Sequence, residues 1–334
     1  MDLDFTKLTK RDLYRKQLEE ELSELIDQET SLISMEIAQY VSCPLCNEEK
    51  ELKELFVSQG FPHVRCDKCG LVFVNPQVNE EKLNELYGSS KANEIWLDVI
   101  MSDVEKTGRY ALYERYFDKL EELTEHRTLV DVGCSIGDLI VVAERRGWKA
   151  QGFDLARKAV EFARKERGLN VHLGKLEDYD FAEGSLPVVT MTGVLEHLND
   201  PVGTLLKVHK LLIPGGFIVI QVPNLHSLHN MILHEKSTSF DGRNHLIFFS
   251  SETLNATLEK AGFQVKHFGT YQGVTHVLCR YLQYHHPYDG PAGFSYLPSR
   301  LRPAFEDTEK HQRLIEWLEK MGMGRSIMAI AAKR

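Results

Sequence analysis

The sequence has few cysteines outside two short pairs, and this scarcity bears on both stability and compartment. Four of the six cysteines form Cys43-Pro-Leu-Cys46 and Cys66-Asp-Lys-Cys69, and the other two stand alone. A disulfide-stapled domain needs an evenly paired, distributed set of cysteines. The sequence therefore argues against a disulfide framework, and the chain must be stabilised by a hydrophobic core or by a metal.

Long apolar runs are also lacking. No run reaches the length of about 18 residues that crosses a bilayer, and Met1-Asp-Leu-Asp does not resemble the start of a signal peptide. We therefore expect a soluble, cytoplasmic protein without a membrane partner.

Positive charge is in deficit, with 40 Lys and Arg residues against 49 Asp and Glu residues and a net charge of −9. Nucleic acids and anionic membranes are bound through basic faces. A nucleic-acid partner is therefore not expected, although a local basic patch stays open. The 334 residues contain no repeat and no low-complexity tract, and they suffice for one α/β domain with an appendage.

A strand, a glycine loop and a helix follow one another at residues 129–145. Leu129, Val130 and Val132 predict a buried parallel strand, and Gly133 and Gly137 predict a tight loop. The helix that follows, over residues 139–145, would complete a pocket of backbone N–H groups. This arrangement predicts a cofactor site at the carboxyl edge of a doubly wound α/β sheet.

The identity of the cofactor is indicated by acidic residues near this loop. Asp154 lies 21 residues after Gly133, at the end of the next predicted strand, where a carboxylate can accept hydrogen bonds from both ribose hydroxyls. A dinucleotide site requires G-x-G-x-x-G, but Ser135 and Asp138 replace its second and third glycines. Together with Asp131, the acids favour a ligand with an ammonium and a sulfonium group, as in S-adenosylmethionine.

The stretch 129–138 resembles motif I of the class I S-adenosylmethionine-dependent methyltransferases. Four further stretches resemble later motifs of that family in the same order, and they cover residues 151–154, 173–178, 188–201 and 212–224. The resemblance spans about residues 128–270. It implies a Rossmann-like, seven-stranded, doubly wound sheet whose last strand is antiparallel. It also implies that the cofactor contacts Asp131, Gly133, Cys134, Ser135, Gly137, Asp154, Leu155, Leu176, Glu177 and Thr192.

The two cysteine pairs predict a zinc site. Nineteen residues separate Cys46 from Cys66, and paired C-x-x-C knuckles at this distance suit a tetrahedral Cys₄ zinc ion. Four thiolates leave no open coordination position, so zinc at Cys43, Cys46, Cys66 and Cys69 would be structural. A ribbon that ends in Cys69-Gly-Leu-Val-Phe-Val-Asn-Pro76 resembles the N-terminal module of bacterial small-molecule methyltransferases, some of which act on sugars.

We divide the chain into an N-terminal helical segment (1–40), a zinc ribbon (41–76), a helical lid or linker (77–127) and a cofactor-binding methyltransferase domain (128–334). Leucines at near-helical spacing predict one or two amphipathic helices in 1–40. We favour packing of these helices on their own chain, and a homodimer through this segment stays open. Residues 280–325 are the least readable part of the sequence, and the Tyr, His, Pro and Gly residues that cluster in 284–299 suggest a long loop that faces the substrate.

The pattern of apolar residues also predicts individual elements. A helix with an aromatic stripe is expected over 103–123, and strands and helices are expected to alternate from the strand 128–132 to residue 222. A turn is expected at Pro214-Gly-Gly216 and a helix over 251–261.

Two histidines are candidates for the catalytic base, since neutral imidazole accepts a proton near pH 7. His197 follows Glu196 just after the fourth predicted strand, where the resembled family often has a Glu-His pair. His245 lies in a stretch that resembles the family pattern His-Leu-x-x-Phe-Ser near the substrate pocket. In related sugar C-methyltransferases the matching stretch also carries Tyr and Glu, but here those positions are Gly242 and Asn244.

The acceptor is the least determined part of the prediction. We expect substrate contacts from Arg243, Asn244 and Asn224. The resemblance implies transfer of a methyl group to a small polar metabolite, first of all to an oxygen of a sugar, glycan or natural-product intermediate. Methylation of carbon or nitrogen on a nucleotide-linked sugar, an RNA methyltransferase that grips RNA with the ribbon, and a non-catalytic cofactor-binding module are the alternatives.

Overall fold

The structure is a computed structural model that describes residues 11–102, 109–271, 276–288, 294 and 297–334. Its first element is helix α1 (Arg11–Leu25), which buries Leu22 and Leu25 in the core of its own chain. Residues 26–37 form turns, with one bridge between Ile26 and Ile33. The described part of the N-terminal segment therefore contains one helix, and its apolar side is used within the chain.

Five short strands follow α1 and build the predicted ribbon. They are β1 (Ala38–Gln39), β2 (Leu52–Ser58), β3 (Phe61–Cys66), β4 (Val72–Val74) and β5 (Gln77–Val78). Strands β2, β3 and β4 form an antiparallel meander, while β1 pairs with β5.

The linker region is helical in its described residues, as predicted. Its helices are α2 (Glu80–Ser89), α3 (Lys91–Ser102) and α4 (Arg109–Glu121). The predicted helix over 103–123 is described only from residue 109, and residues 103–108 lie outside the described part. Tyr116, Phe117 and Leu120 of α4 are buried, so most of the aromatic stripe belongs to the core.

The alternating strand–helix unit agrees closely with its prediction. It comprises β6 (Thr128–Val132), α5 (Asp138–Arg145), β7 (Lys149–Asp154), α6 (Arg157–Lys165), β8 (Val171–Leu173), β9 (Leu186–Thr192), α7 (Pro201–Leu211) and β10 (Leu212–Pro223). One detail differs. Pro214-Gly-Gly216 was expected as a turn, but it lies within β10, where the pairing with β9 is interrupted between Leu212 and Phe217. Such bulges are common at sites of glycine in a strand.

The remaining elements complete the sheet and its covering helices. They are α8 (Leu228–Leu233), β11 (Ile247–Phe248), α9 (Ser251–Lys260), β12 (Phe263–Tyr271), α10 (His276–Leu282), α11 (Arg302–Glu306), α12 (Thr308–Lys320) and β13 (Ser326–Lys333). Three 3₁₀ turns, at Leu176–Asp178, Leu195–His197 and His234–Lys236, lie in the connections.

The main sheet has seven strands in the order β8-β7-β6-β9-β10-β13-β12. Strands β6 to β10 are parallel, and β13 is antiparallel to both β10 and β12. This confirms the predicted Rossmann-like sheet with an antiparallel last strand. Because consecutive parallel strands are joined by helices, the carboxyl ends of β6, β7 and β9 meet at one edge.

The ribbon is not separate from this fold. Strand β11 comes from the connection between β10 and α9, yet it pairs with β4, which gives a second sheet in the order β11-β4-β3-β2. Phe61 and Phe73 of the ribbon share one hydrophobic core with Val189 and Ile218 of the main sheet. Among the described residues, no helix combines the length and apolarity that a membrane-spanning segment requires.

Candidate active site

A cavity of about 2370 Å³ opens along the carboxyl edge of the main sheet. Its walls come from the ends of β6, β7 and β9, from α1 and the linker helices, and from the chain between β10 and β13. Residues of the cofactor motifs and of the predicted substrate loop therefore face the same space.

The loop between β6 and α5 has the conformation that its glycines predict. Gly133 and Gly137 have φ angles of 73° and 80°, which favour glycine. A Cβ on Gly133 would lie 2.3 Å from Val194 Cγ2, and one on Gly137 would lie 2.3 Å from Leu169 Cδ1. Ser135 also has a positive φ of 48°, so the substitution of glycine by serine carries some strain.

Three amides of this loop are already hydrogen-bonded within the chain. Gly133 N–H and Cys134 N–H donate to the Phe153 carbonyl at 2.8 and 3.1 Å, and Ser135 N–H donates to Asp154 Oδ2 at 2.7 Å. The expected cradle of N–H groups is thus partly used to attach the loop to β7, as amides next to a strand end require. These three N–H groups therefore do not need a phosphate as their hydrogen-bond acceptor.

Asp154 lies at the end of β7 and lines the cavity. Its carboxylate accepts hydrogen bonds from Ser135 N–H and, at 2.7 Å, from Ala156 N–H. Burial raises the pKa of Asp154, and these backbone bonds oppose that shift. Each carboxylate oxygen can accept a further hydrogen bond, so the side chain is still able to bind ribose hydroxyls.

The other two acids near the loop do not face the cavity as free charges. Asp131 is buried and accepts a hydrogen bond of 2.6 Å from the Thr190 hydroxyl, and burial raises its pKa to about 7. Asp138 pairs with Arg109 at 2.6 Å and with Arg167 at 2.7 Å. Its charge is therefore compensated inside the protein, so Asp138 does not attract a cationic ligand as the sequence analysis expected.

The remaining predicted cofactor residues divide into two groups. Leu155, Leu176, Glu177 and Thr192 line the cavity together with Gly133, Ser135 and Asp154. Asp131, Cys134 and Gly137 are absent from its wall. The Cys134 side chain is buried against Gly152. A Cβ on Gly152 would lie 2.7 Å from the Cys134 sulfur, so there is no room for a larger residue. Asp131, Cys134 and Gly137 therefore shape the loop and do not face the cavity. Direct contact of the cofactor with the residues that line the cavity stays a prediction.

The two candidate histidines lie beside each other although they are 48 residues apart in sequence. Their ring centroids are 4.9 Å apart, and both rings line the cavity. His197 Nδ1 lies 2.8 Å from the Asn244 carbonyl oxygen, and His245 Nδ1 lies 2.9 Å from that of Ser239. A carbonyl can only accept, so each Nδ1 carries a hydrogen, and in the neutral form of each ring the lone pair is on Nε2.

Glu196 is the third member of this group, next to His197 and His245. Its side chain is buried, and Oε1 lies 3.9 Å from His197 Nε2. Burial raises the pKa of Glu196 to about 7, and burial together with the neighbouring His245 lowers the pKa of His197 to about 3. His197 is therefore held neutral. The three side chains offer ligand atoms within 4.8 Å of one another, so they could also hold a divalent cation.

The predicted substrate residues are placed differently from expectation. Arg243 is fully buried, and its guanidinium donates to Glu21 at 2.5 Å and to the Ser90 hydroxyl at 2.7 Å. Asn224 is also buried, and its amide donates to the carbonyls of Gly322 and Gly324. Both residues brace the protein and neither lines the cavity. Of the three, only Asn244 lines it, with its amide bound to Asp241.

Several cavity residues escaped the sequence analysis because they come from distant segments. They include Tyr14, Arg15, Trp96, Tyr288 and Arg325. Of the loop predicted over 284–299, His286 and Tyr288 line the cavity, and residues 289–293 and 295–296 lie outside the described part. For Arg325, the signal that the sequence offered was a cation just before the last predicted strand.

The four ribbon cysteines converge as the sequence predicts. The thiols pair at 3.5 Å, Cys43 with Cys69 and Cys46 with Cys66, and all four sulfurs lie within 4.8 Å of one another. In each knuckle the amide four residues after the first cysteine donates to that cysteine's carbonyl at 2.8 Å. The donors are Asn47 and Gly70, both with positive φ.

This geometry fits a tetrahedral thiolate site. Burial raises the pKa of the Cys43 thiol to about 11, so a metal ion is needed to hold that sulfur as a thiolate near neutral pH. The described residues thus provide a complete Cys₄ ligand set, and the chemistry of four soft sulfur donors selects zinc among the common divalent ions.

Comparisons with known proteins match the region that contains the glycine loop and most of the main sheet. A family model described as a methyltransferase domain matches residues 107–267. Ubiquinone biosynthesis O-methyltransferase of Hydrogenovibrio crunogenus is 32% identical over 114 residues, which are 32% of this chain and 47% of that protein. The enzyme of that name from Saccharophagus degradans is 34% identical over 119 residues, which are 34% of this chain and 50% of that protein.

The chain spans about half the length of these curated relatives. A crystal structure of an S-adenosylmethionine-dependent methyltransferase from Archaeoglobus fulgidus is 20% identical and has a TM-score of 0.47, and the alignment covers 70% of this chain and 98% of that one. The family match, the strand order and the loop after β6 point the same way. Residues 107–267 are thus similar to a methyltransferase domain, and their sheet and their glycine loop have the arrangement that the sequence predicts for such a domain.

Proposed function

We propose that this protein transfers the methyl group of S-adenosylmethionine to an oxygen of a small polar metabolite, such as a sugar or a natural-product intermediate. The juxtaposition of Asp154 and His245 on one cavity carries this proposal. A carboxylate that can bind a ribose and an imidazole that can accept a proton, both in one cavity, suit methylation of a hydroxyl. Structural zinc in the ribbon is part of the same proposal.

The cofactor would supply an activated methyl group on a sulfonium. Asp154 would hold its ribose, and the side chains of Leu155, Leu176 and Thr192 would enclose its adenosyl end. His245 Nε2, which carries a lone pair, would take the proton from the acceptor hydroxyl as that oxygen attacks. His197 cannot easily store this proton, because its pKa is lowered to about 3. We therefore assign the base role to His245 and a positioning role to His197.

The neighbours of His245 suit this role. The Nδ1 hydrogen is fixed by the Ser239 carbonyl, which sets the tautomer and the direction of the ring. The buried Glu196 lies next to the pair and would stabilise positive charge when a proton arrives. The aromatic and apolar walls of the cavity would limit access of water.

The first test is binding of S-adenosylhomocysteine, followed by a screen for methyl transfer from radiolabelled cofactor to hydroxylated sugars and biosynthetic intermediates. With an acceptor identified, His245→Gln should lower kcat by about 10²- to 10⁴-fold, the usual contribution of a general base. Its Kd for S-adenosylhomocysteine should change less than about threefold, because the other residues of the cofactor site remain.

His226→Gln is the matched control, since this histidine is exposed and absent from the cavity wall. It should retain wild-type kcat. Assays with and without added Mg²⁺ separate a base from a metal-dependent reaction at the same cluster. Wild-type turnover by His245→Gln would remove His245 from the mechanism, and failure of the wild-type protein to bind S-adenosylhomocysteine would overturn the proposed function as a whole.

A further inference from the structure

The proposed reaction does not use Arg325, a cationic residue in the cavity wall. Arg325 is the residue just before β13, and its carbonyl accepts a 2.8 Å hydrogen bond from Asn224 N–H, just after β10. Its backbone is thereby fixed at the carboxyl edge of the sheet. The side chain is half-buried and lines the cavity.

The charge of Arg325 is not compensated by an acid within the part of the chain that the structure describes. Its guanidinium makes a 3.4 Å hydrogen bond to the Thr238 hydroxyl and forms no ion pair there. Partial removal from water lowers the pKa of Arg325, and the nearby Tyr288 opposes that shift. Arginine stays protonated under all relevant conditions, so its charge would be stabilised by an anion from outside the protein.

The surroundings of Arg325 carry charges of both signs. Arg15 lies 5.8 Å over the Tyr288 ring and donates to the Tyr288 carbonyl, and Lys236 lines the same cavity. Glu319, an acid in the cavity wall, already accepts from Arg115 at 2.8 Å. Glu235 and Asp241 also line the cavity, so the attraction for an anion comes from the uncompensated Arg325 guanidinium itself.

This region lies next to the proposed base. Thr238, which contacts Arg325, and Ser239, whose carbonyl fixes the His245 ring, are adjacent in sequence. Their Cα atoms are thus about 3.8 Å apart. An acceptor whose anionic group reached Arg325 would have its neighbouring atoms close to the His245 imidazole.

The cofactor is not the natural source of this anion. The cofactor loop follows β6, and β9 and β10 separate β6 from β13 in the sheet. Three strand spacings of about 4.8 Å place the two strands roughly 14 Å apart. Arg325 is therefore on the acceptor side of the cavity.

We infer that Arg325 is a specificity-determining residue that binds a carboxylate or phosphate of the methyl acceptor, so that the acceptor is an anionic hydroxy compound. This inference rests on the proposed function and narrows its substrate class. A planar guanidinium can bind either anion through two parallel hydrogen bonds.

The test uses the full chain saturated with S-adenosylhomocysteine, titrated calorimetrically at low ionic strength with inorganic phosphate and, separately, with malonate. At least one of these probes should bind, and Arg325→Met should weaken that binding at least tenfold. Arg325→Lys should retain part of it. The matched control is Lys236→Met, which removes one positive charge from the same cavity and should change the affinity less than threefold.

Preference for phosphate or for malonate distinguishes the two acceptor classes, and either result supports the inference. Equal affinity of the wild type and Arg325→Met for both probes would overturn it, as would the absence of probe binding to the wild-type protein. Because S-adenosylhomocysteine binding is measured first, its failure would identify a fault in the proposed function and not in the role of Arg325.

Discussion

Asp154 has two tasks at the level of a single side chain. It fixes the loop after β6 through Ser135 N–H, and it presents its carboxylate to the cavity. Ligand binding and loop conformation are therefore linked through one group. The bond to Ala156 N–H holds the same carboxylate in place at the start of α6.

The substitution Asp154→Asn should weaken binding of S-adenosylhomocysteine by about 1–3 kcal/mol, because charge-assisted hydrogen bonds to the ribose are lost. This corresponds to roughly 5- to 150-fold in Kd, measurable by calorimetry. Asp118→Asn is the control, since Asp118 pairs with Arg146 at 2.9 Å and neither residue lines the cavity. An unchanged Kd for Asp154→Asn would mean that the ribose lies elsewhere.

Residue types and short spacings predicted some site residues well and others poorly. The convergence of the four ribbon cysteines and the place of Asp154 in the cavity wall were predictable, because the spacing of these residues is itself the chemical requirement. Arg243 was misassigned, because nothing local to Arg243 reveals a partner as distant as Glu21, 222 residues earlier. Arg325 was overlooked for the converse reason, since the lack of an internal partner is visible only in three dimensions.

At the level of elements, α1 is attached to the segment that carries His245. Glu21 of α1 accepts hydrogen bonds from Arg243, from the Ser90 hydroxyl and, at 2.9 Å, from Ala92 N–H. One carboxylate thus joins α1, the start of α3 and the predicted substrate loop. Arg243 Nε and Nη1 are buried without a hydrogen-bond partner among the described atoms, which makes Glu21 the main compensation for this charge.

Glu21→Ala should therefore lower the free energy of unfolding by about 3 kcal/mol, the usual cost of leaving a buried charge unpaired. Urea denaturation followed by tryptophan fluorescence measures this change. Glu20→Ala removes an exposed carboxylate one residue away on the same helix and should change the free energy by less than about 0.5 kcal/mol. Equal stability of the two variants would show that Arg243 is solvated in solution.

The long, strongly periodic elements were predictable and the short ones were not. Strand β6 and helix α9 agree with their predictions within a residue, because burial of one face sets the sequence pattern over a whole element. Strand β11 has two residues, too few to show any period. The bulge at Pro214-Gly-Gly216 was misread as a turn, because the same residue types serve both structures.

In the whole molecule, the ribbon and the segment that carries His245 form one unit. Strand β11 completes the ribbon sheet two residues after His245, and Phe240 and Phe248 pack against His63 of β3. Lys260 of α9 also donates to the Leu45 carbonyl in the first zinc knuckle. The position of His245 therefore depends on the ribbon, although the ribbon supplies none of the proposed chemistry.

Loss of the proposed zinc should impair turnover more than cofactor binding. Cys66→Ser should lower zinc content, measured by atomic absorption, and reduce kcat at least tenfold, while the Kd for S-adenosylhomocysteine changes less than about threefold. The reason is that the cofactor loop is attached to β7, whereas the His245 segment is attached to β4.

Cys279→Ser is the control, since Cys279 lies in α10 and not in the ribbon. It should keep both zinc and activity. A zinc-free Cys66→Ser protein with wild-type kcat would contradict the coupling between the ribbon and the segment that carries His245.

The pairing of β11 with β4 also limits where the protein can be truncated. A fragment cut to the limits of the family match, residues 107–267, would retain Ile247 and Phe248 but lose their partners Phe73 and Val72. Its freshly uncovered strand edge would invite self-association. Expression libraries, chimeras and truncations of this protein therefore need breakpoints chosen from shared sheets, not from sequence-family borders.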